Sequence, residues 1–291
     1  RSLRDWSSDV CSSDLTLTTL ERTDTDLFEG SIDPTWTIGP KVHGGAMTSV
    51  CAAAAVQRLA LDDDPVELSP LAVSASYLAA PDPGPVTVET TVLRRGRRVV
   101  HVDAVLLQNG RPAVRSVVTL GTPDSGAPVH REYESSLASV LDMAVEPPDS
   151  AARVAPGHPM ADVVHVAAGC DMRLDTTAAH FLTGAQGSAE IRLWVRPRPD
   201  DEDDPVTAAL FALMAGDICP PVTMNRGFFG WAPTVQLTTY LRHVPVPGWL
   251  RVMSSSTVIG GSWFEEDHTV VDSTGAVVVQ SRQLAMVPLA T

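Results

Sequence analysis

Asp217 is the only charged residue between Pro205 and Asn225, in the run VTAALFALMAGDICPPVTM. A carboxylate in so apolar a stretch costs free energy unless it is partnered or put to use. One reading is a side chain hydrogen-bonded to a helix terminus or to a buried Arg. The sharper reading is a general base or a nucleophile. A second group of interest is His43-Gly44-Gly45, which opens a helical run. The first turn of a helix carries unpaired N–H groups and the positive end of the dipole. Two glycines leave that backbone open to close approach. This suits an oxyanion hole, which stabilises the oxygen that turns negative when a carbonyl is attacked. His43 itself reads first as a residue that caps or packs at the helix start, and second as a catalytic or substrate-binding group.

These two groups can work together only if the chain folds residues 43–45 and 217 onto each other, and an internal repeat provides for that. Residues 69–120 and 232–287 match in outline: Pro70 with Pro233, Tyr77-Leu78 with Tyr240-Leu241, Gly84 with Gly248, and Gly110 with Gly275. Both stretches alternate and are rich in β-branched residues, which predicts antiparallel strands. LLQNGRPAV and VVDSTGAVV predict hairpins with a glycine at the turn. Each set of strands follows an apolar helical run, at 43–61 and 206–222. Both runs are apolar nearly all round, as expected of central, buried helices. A first strand is expected at 26–38 in one half and at 188–198 in the other. The predicted fold class is α+β: a tandem of two curved antiparallel sheets, each wrapped around a central helix. Its bounds are 16–122 for the first repeat, 123–187 for a linker with a helical candidate at 131–144, and 188–291 for the second repeat. Aligning the halves places Asp217 opposite Ala52–Ala54, and the second half has no counterpart of His43-Gly44-Gly45. Each half keeps one piece, which predicts a single composite site between them.

A helix in a curved sheet, twice in one chain, with His43-Gly44-Gly45 opening the first helix, resembles the double-hotdog fold. More specifically, the sequence is similar to the thioesterase II family of acyl-CoA thioesterases, from about residue 20 to the end. The resemblance implies hydrolysis of acyl-CoA to free acid and coenzyme A. It also implies no metal or redox cofactor, coenzyme A being part of the substrate, and a homo-oligomer. The family's catalytic Asp, Thr and Gln fall on Asp217 in the second helix, Thr234 on the next strand and Gln283 on the last. Shortly after the Thr the family strand usually carries an acidic residue and a His, where this chain has Gln236 and Leu237. A slip of two residues would substitute Thr238 for Thr234 on the same face, with Gln236 alongside. Two other readings stand beside hydrolysis. One is a hotdog hydratase or dehydratase with His43 as partner of the carboxylate. The other is a non-catalytic acyl-CoA-binding protein.

The bulk properties narrow the field. The 291 residues carry a formal net charge of −14, which disfavours nucleic acid and anionic membranes as partners. No apolar run reaches the length of a membrane span, and the N-terminus lacks the apolar core of a signal peptide. Cys11, Cys51, Cys170 and Cys219 are scattered and form no CxxC pair. That predicts a reducing cytoplasm, with Cys51 and Cys219 as buried thiols, and disfavours a zinc site. Arg94–Arg98 in a hairpin tip, Arg226, Arg242 and His243 are candidates for the coenzyme's phosphates, though a solvated turn is the plainer reading for the first cluster. The acidic run at 200–204 reads as a solvated loop favouring the start of the second helix. Residues 1–15 fit neither repeat and resemble a translated sequencing adapter, so the native chain is expected to join at about Thr16.

Overall fold

In the computed structural model, the described residues are 14–60, 68–124, 126–132 and 135–288. Most of the atypical N-terminal stretch, with Cys11, lies outside them. The first half contains β1 (Glu21–Asp24), β2 (Leu27–Ile32), β3 (Thr37–Ile38), β4 (Lys41–Val42), α1 (Gly44–Ala60), β5 (Ser69–Tyr77), β6 (Gly84–Arg95), β7 (Val99–Gln108) and β8 (Arg111–Gly121). There follow α2 (Ser135–Leu141), β9 (Ala152–Arg153), β10 (Asp171–Leu174), β11 (Glu190–Arg196), α3 (Pro199–Glu202) and α4 (Pro205–Ala215). The chain ends with β12 (Thr234–Leu241), β13 (Leu250–Ser255), β14 (Trp263–Val271) and β15 (Val277–Met286). Among the described residues no helix is long and apolar enough to cross a membrane.

Where two curved sheets are expected, thirteen of the described strands form one antiparallel sheet, in the order β1-β2-β6-β7-β8-β5-β12-β15-β14-β13-β11-β10-β9, and β3 and β4 pair apart from it. The join is β5 with β12, paired from Gln236↔Ser76 to Tyr240↔Ala72. Each would otherwise be an open edge of its half, and each covers the other's unpaired N–H and C=O groups. The hairpin expectations hold. Asn109 and Gly110 turn β7 into β8 with φ of 52° and 72°, and Gly275 turns β14 into β15 with φ of 81°.

The pairing corrects one detail of the repeat. Ala75 lies opposite Leu237 and both are buried, so Tyr77 shares their face. Tyr240 points to the other face and is 48% exposed. The match of Tyr77 to Tyr240 is therefore off by one residue, and one residue exchanges faces in a strand.

Both central helices are buried over most of their length. Ala52, Ala54 and Ala55 of α1 are fully covered, as are Ala212 to Ala215 of α4. The two helices pack against each other in antiparallel sense. Ser49 donates to the Leu210 carbonyl at 2.8 Å. Closer to the start of α1, a Cβ on Gly45 would come within 2.6 Å of the Met214 carbonyl oxygen. The exit of α4 thus lies at the entrance of α1. The expected second helix is too long: α4 stops at Ala215, and Asp217 lies in the turn beyond it. Pro220 and Pro221 lack the N–H that a continued helix needs. The first helix starts at Gly44, one residue later than expected, with His43 flanking it.

The linker is more regular than predicted. Its helix spans only Ser135–Leu141, and Leu137 and Val140 pack with Met143, Trp194, Met253 and Val271. β9 and β10 then extend the sheet beyond β11. At the N-terminus, Leu17 is buried in the main core, in a 3-10 turn (Asp14–Thr18) that touches both α1 and α4.

Candidate active site

The antiparallel helix pair brings the first two groups together. His43 precedes α1, and its Nδ1 accepts the Ala46 N–H at 3.2 Å. Its Nε2 lies 2.9 Å from the Asp217 carbonyl oxygen, so Nε2 carries the proton and donates. The ring is neutral, since burial pushes its pKa down to about 4. His43 is thus a neutral cap that also ties the Asp217 backbone in place. With both ring nitrogens engaged, it has no nitrogen left over to bind substrate.

The Asp217 side chain is 8% exposed. Burial raises its pKa to about 7, while the Gly45 N–H facing it favours the ionised form. Gly44 and Gly45 make this approach possible. A Cβ on Gly44 would meet Asp217 Oδ2 at 2.6 Å and the Tyr77 hydroxyl at 3.1 Å, and one on Gly45 would meet Asp217 Cβ at 3.1 Å. The Gly45 N–H, one of the donors expected at an oxyanion hole, faces the Asp217 carboxylate.

Thr234 and Gln283 meet directly. Thr234 donates to Gln283 Oε1 at 2.5 Å. Gln283 Nε2 in turn donates to Glu266 Oε2. Glu266 is fully buried, and its other oxygen accepts the Val222 N–H at 2.7 Å. Burial raises Glu266 to about 7, and the charge of nearby Asp217 adds to the rise. Thus Asp217 is coupled to the Thr234–Gln283–Glu266 chain through its field. The turn carrying Asp217 is seated on the same sheet face, where Ser281 donates to the Gly216 carbonyl at 2.5 Å.

Gln236 and Thr238 are corrected. Thr238 pairs with Arg282 and Gln236 with Leu284, on the face opposite Gln283, and Thr238 bonds Ser74 at 3.3 Å. Strict alternation would put Thr234 with them. A bulge between Thr234 and Gln236 inserts one residue and turns Thr234 to the inner face, opposite Ala285.

The phosphate candidates are dispersed. Arg94–Arg98 lie exposed on the β6–β7 hairpin. Arg226 is exposed and donates to the Gly187 carbonyl at 2.8 Å. Arg242 and His243 follow the far end of β12 from Thr234. They line a cleft of about 470 Å³ with Arg131 and the outward-facing Gln280. In the acidic run, Asp201 is buried rather than solvated, and Asp204 caps α4 by accepting the Thr207 N–H at 2.8 Å. Cys51, Cys170 and Cys219 are buried free thiols, and burial pushes Cys51 up to about 12.

Three groups at the site escape sequence reasoning. The Tyr77 hydroxyl is buried beside Asp217 without a hydrogen-bond partner, and burial holds its pKa well above the usual phenol range. His268 is buried with neither ring nitrogen bonded, and burial lowers its pKa to about 3. Glu266 sits among the charged residues of WFEEDHTVV, and only its register across from Gln283 marks it out.

Comparison with known proteins decides the family. The acyl-CoA thioesterase N-terminal domain matches residues 32–121 and the acyl-CoA thioesterase C-terminal domain matches residues 123–287. The chain belongs to the acyl-CoA thioesterases. As a member of that family it is a thioester hydrolase with an α+β hotdog fold. An uncharacterised protein of Mycobacterium tuberculosis is 46% identical over 271 residues, covering 90% of this chain and 91% of its own. A provisionally assigned thioesterase II from Thermobifida fusca is 27% identical with a TM-score of 0.79, covering 96% of this chain and 99% of its own. A hotdog protein of unknown function from Alicyclobacillus acidocaldarius shares the fold at 18% identity, with a TM-score of 0.74 over 97% of this chain and 100% of its own.

Proposed function

We propose that this thioesterase hydrolyses acyl-CoA with Asp217 as general base on a water. Thr234 and Gln283 orient that water. The donors at the entrance of α1 other than the Gly45 N–H, with the Tyr77 hydroxyl, meet the oxygen that turns negative. The observation that carries this reading is the position of Asp217: a desolvated carboxylate with a pKa of about 7 against the glycine-lined start of a helix. A base titrating near neutrality is mostly ionised just above its pKa and still accepts a proton readily. The positive dipole end and the Tyr77 donor favour negative charge in the same place. His43, capped at one nitrogen and donating from the other, is poorly suited to the proton transfers that a hydratase needs. The reading needs no metal or redox cofactor. It takes the chain as a tandem hotdog with one composite site, acting in the cytoplasm as a homo-oligomer.

The test is release of free thiol from a panel of acyl-CoAs of different chain length, for wild type and Asp217→Asn. Wild type should turn over part of the panel, and the variant should lose at least about 100-fold in kcat. Single turnover in ¹⁸O-water should label only the product acid if water attacks. Label in Asp217 would instead indicate an anhydride route. Tight acyl-CoA binding without turnover, or hydration of an enoyl-CoA in place of hydrolysis, would sink the assignment.

A further inference from the structure

We infer that Glu266 is a positioning residue: it sets the orientation of the Gln283 carboxamide and clamps the strand bearing Gln283 to the loop bearing Asp217. The inference rests on the hydrolytic reading above. Glu266 and Gln283 face each other across β14 and β15 in direct register. A carboxamide has a donor end and an acceptor end of similar shape, so its neighbours decide which way it points. One oxygen of Glu266 already accepts the Val222 N–H, and above its pKa of about 7 the carboxylate can only accept. The Gln283 NH₂ must therefore face Glu266, and its oxygen must face Thr234. Thr234 must then donate its single proton to Gln283. Towards the site, the Thr234 oxygen is left as an acceptor, the role required to hold a water by one of its hydrogens.

The second oxygen of Glu266 reaches the other wall. It holds the Val222 N–H, at the end of the segment Asp217-Ile-Cys-Pro-Pro-Val222. Two prolines stiffen that segment, so fixing Val222 helps to fix Asp217. Packing alone does not account for Glu266. It is fully buried, the charge of Asp217 opposes its own, and its neighbour at ion-pair distance is His268 at 4.0 Å, an imidazole that burial keeps neutral. A buried carboxylate placed this way is costly, and a glutamine of the same shape would avoid that cost. What a glutamine lacks is the acceptor-only character that orients Gln283.

The experiment compares Glu266→Gln, the exchange Glu266→Gln with Gln283→Glu, and Asp217→Asn with wild type, reading kcat, KM and the thermal midpoint. Glu266→Gln should lower kcat by about 10- to 100-fold, with KM within about twofold and the midpoint unchanged or higher. In the exchange variant, the carboxylate at 283 accepts from both Thr234 and the amide at 266. It should recover about tenfold or more over Glu266→Gln. Wild-type kcat in Glu266→Gln overturns the inference. So does a loss that only follows unfolding, or an exchange variant that folds but is no faster than Glu266→Gln. If Asp217→Asn is inactive while Glu266→Gln is fully active, only this inference fails. If Asp217→Asn is itself fully active, the hydrolytic reading fails with it.

Discussion

Thr234 donates a hydrogen bond to Gln283 although the alternation of β12 would turn the two side chains to opposite faces; the bulge after Thr234 makes the contact. Thr234→Val keeps the shape and removes the hydroxyl. It should lower kcat by about tenfold or more. Thr238→Val, on the outer face, should leave kcat at the wild-type value. Steady-state rates on one acyl-CoA separate the two. Equal effects from both variants would mean that Thr234 is not the residue that faces the reaction.

Activity should depend on the ionisation of Asp217. Its pKa of about 7 lies above that of an ordinary carboxyl, so the base is protonated in mild acid. The pH profile of kcat/KM should rise from acid with a midpoint near 7 and then level off. A profile flat from pH 5 to 8 would exclude Asp217 as the titrating base.

Stability should carry a compensation. Asp217 and Glu266 have folded pKa values of about 7, raised from the usual carboxyl values. Their contribution is full below about pH 4 and is lost as pH rises through about 7. His43 and His268 are lowered to about 4 and about 3. Theirs is present above about pH 6.5 and is lost as pH falls through those values. Between roughly pH 4.5 and 6.5 the two pairs oppose each other. Asp217→Asn removes one carboxyl, so its stability should fall relative to wild type with acidification, by about 1.4 kcal/mol per pH unit. Urea unfolding across that window measures the difference. A constant difference would show that Asp217 takes up no proton on folding.

Tyr77→Phe removes a buried hydroxyl that has no partner. Deleting an unsatisfied group should leave the fold as stable or up to about 1–3 kcal/mol more stable. The same change should cost about tenfold or more in kcat if the hydroxyl meets the substrate oxygen. Thermal midpoint and kcat moving in opposite directions would distinguish this from a packing role. Unchanged kcat would remove Tyr77 from the oxyanion site.

Much of this is legible in the sequence because it is local. Composition marks α1 and α4 as central helices, and the turns at Gly110 and Gly275 follow from residue type. Asp217 stands out as a charge in an apolar run. What escapes depends on register between distant strands. The β5–β12 pairing is set by which edges remain open once each half has folded. The bulge beside Thr234 shifts the phase of one strand by a residue that no residue type announces. Glu266 looks like one surface acid among several until its position opposite Gln283 is known. The end of α4 is misjudged because the apolar run continues past the point where Gly216 and the two prolines stop the helix.

The two helix entrances are finished differently. Asp204 caps α4 with a carboxylate that offsets its positive end, whereas α1 is capped by the uncharged ring of His43. Each entrance therefore faces one carboxylate, Asp204 from the cap of α4 itself and Asp217 from the other half at α1. On the reading proposed above, one chain of two repeats holds one composite site. A non-hydrolysable acyl-CoA analogue titrated by calorimetry should saturate at one equivalent per chain, however many chains assemble.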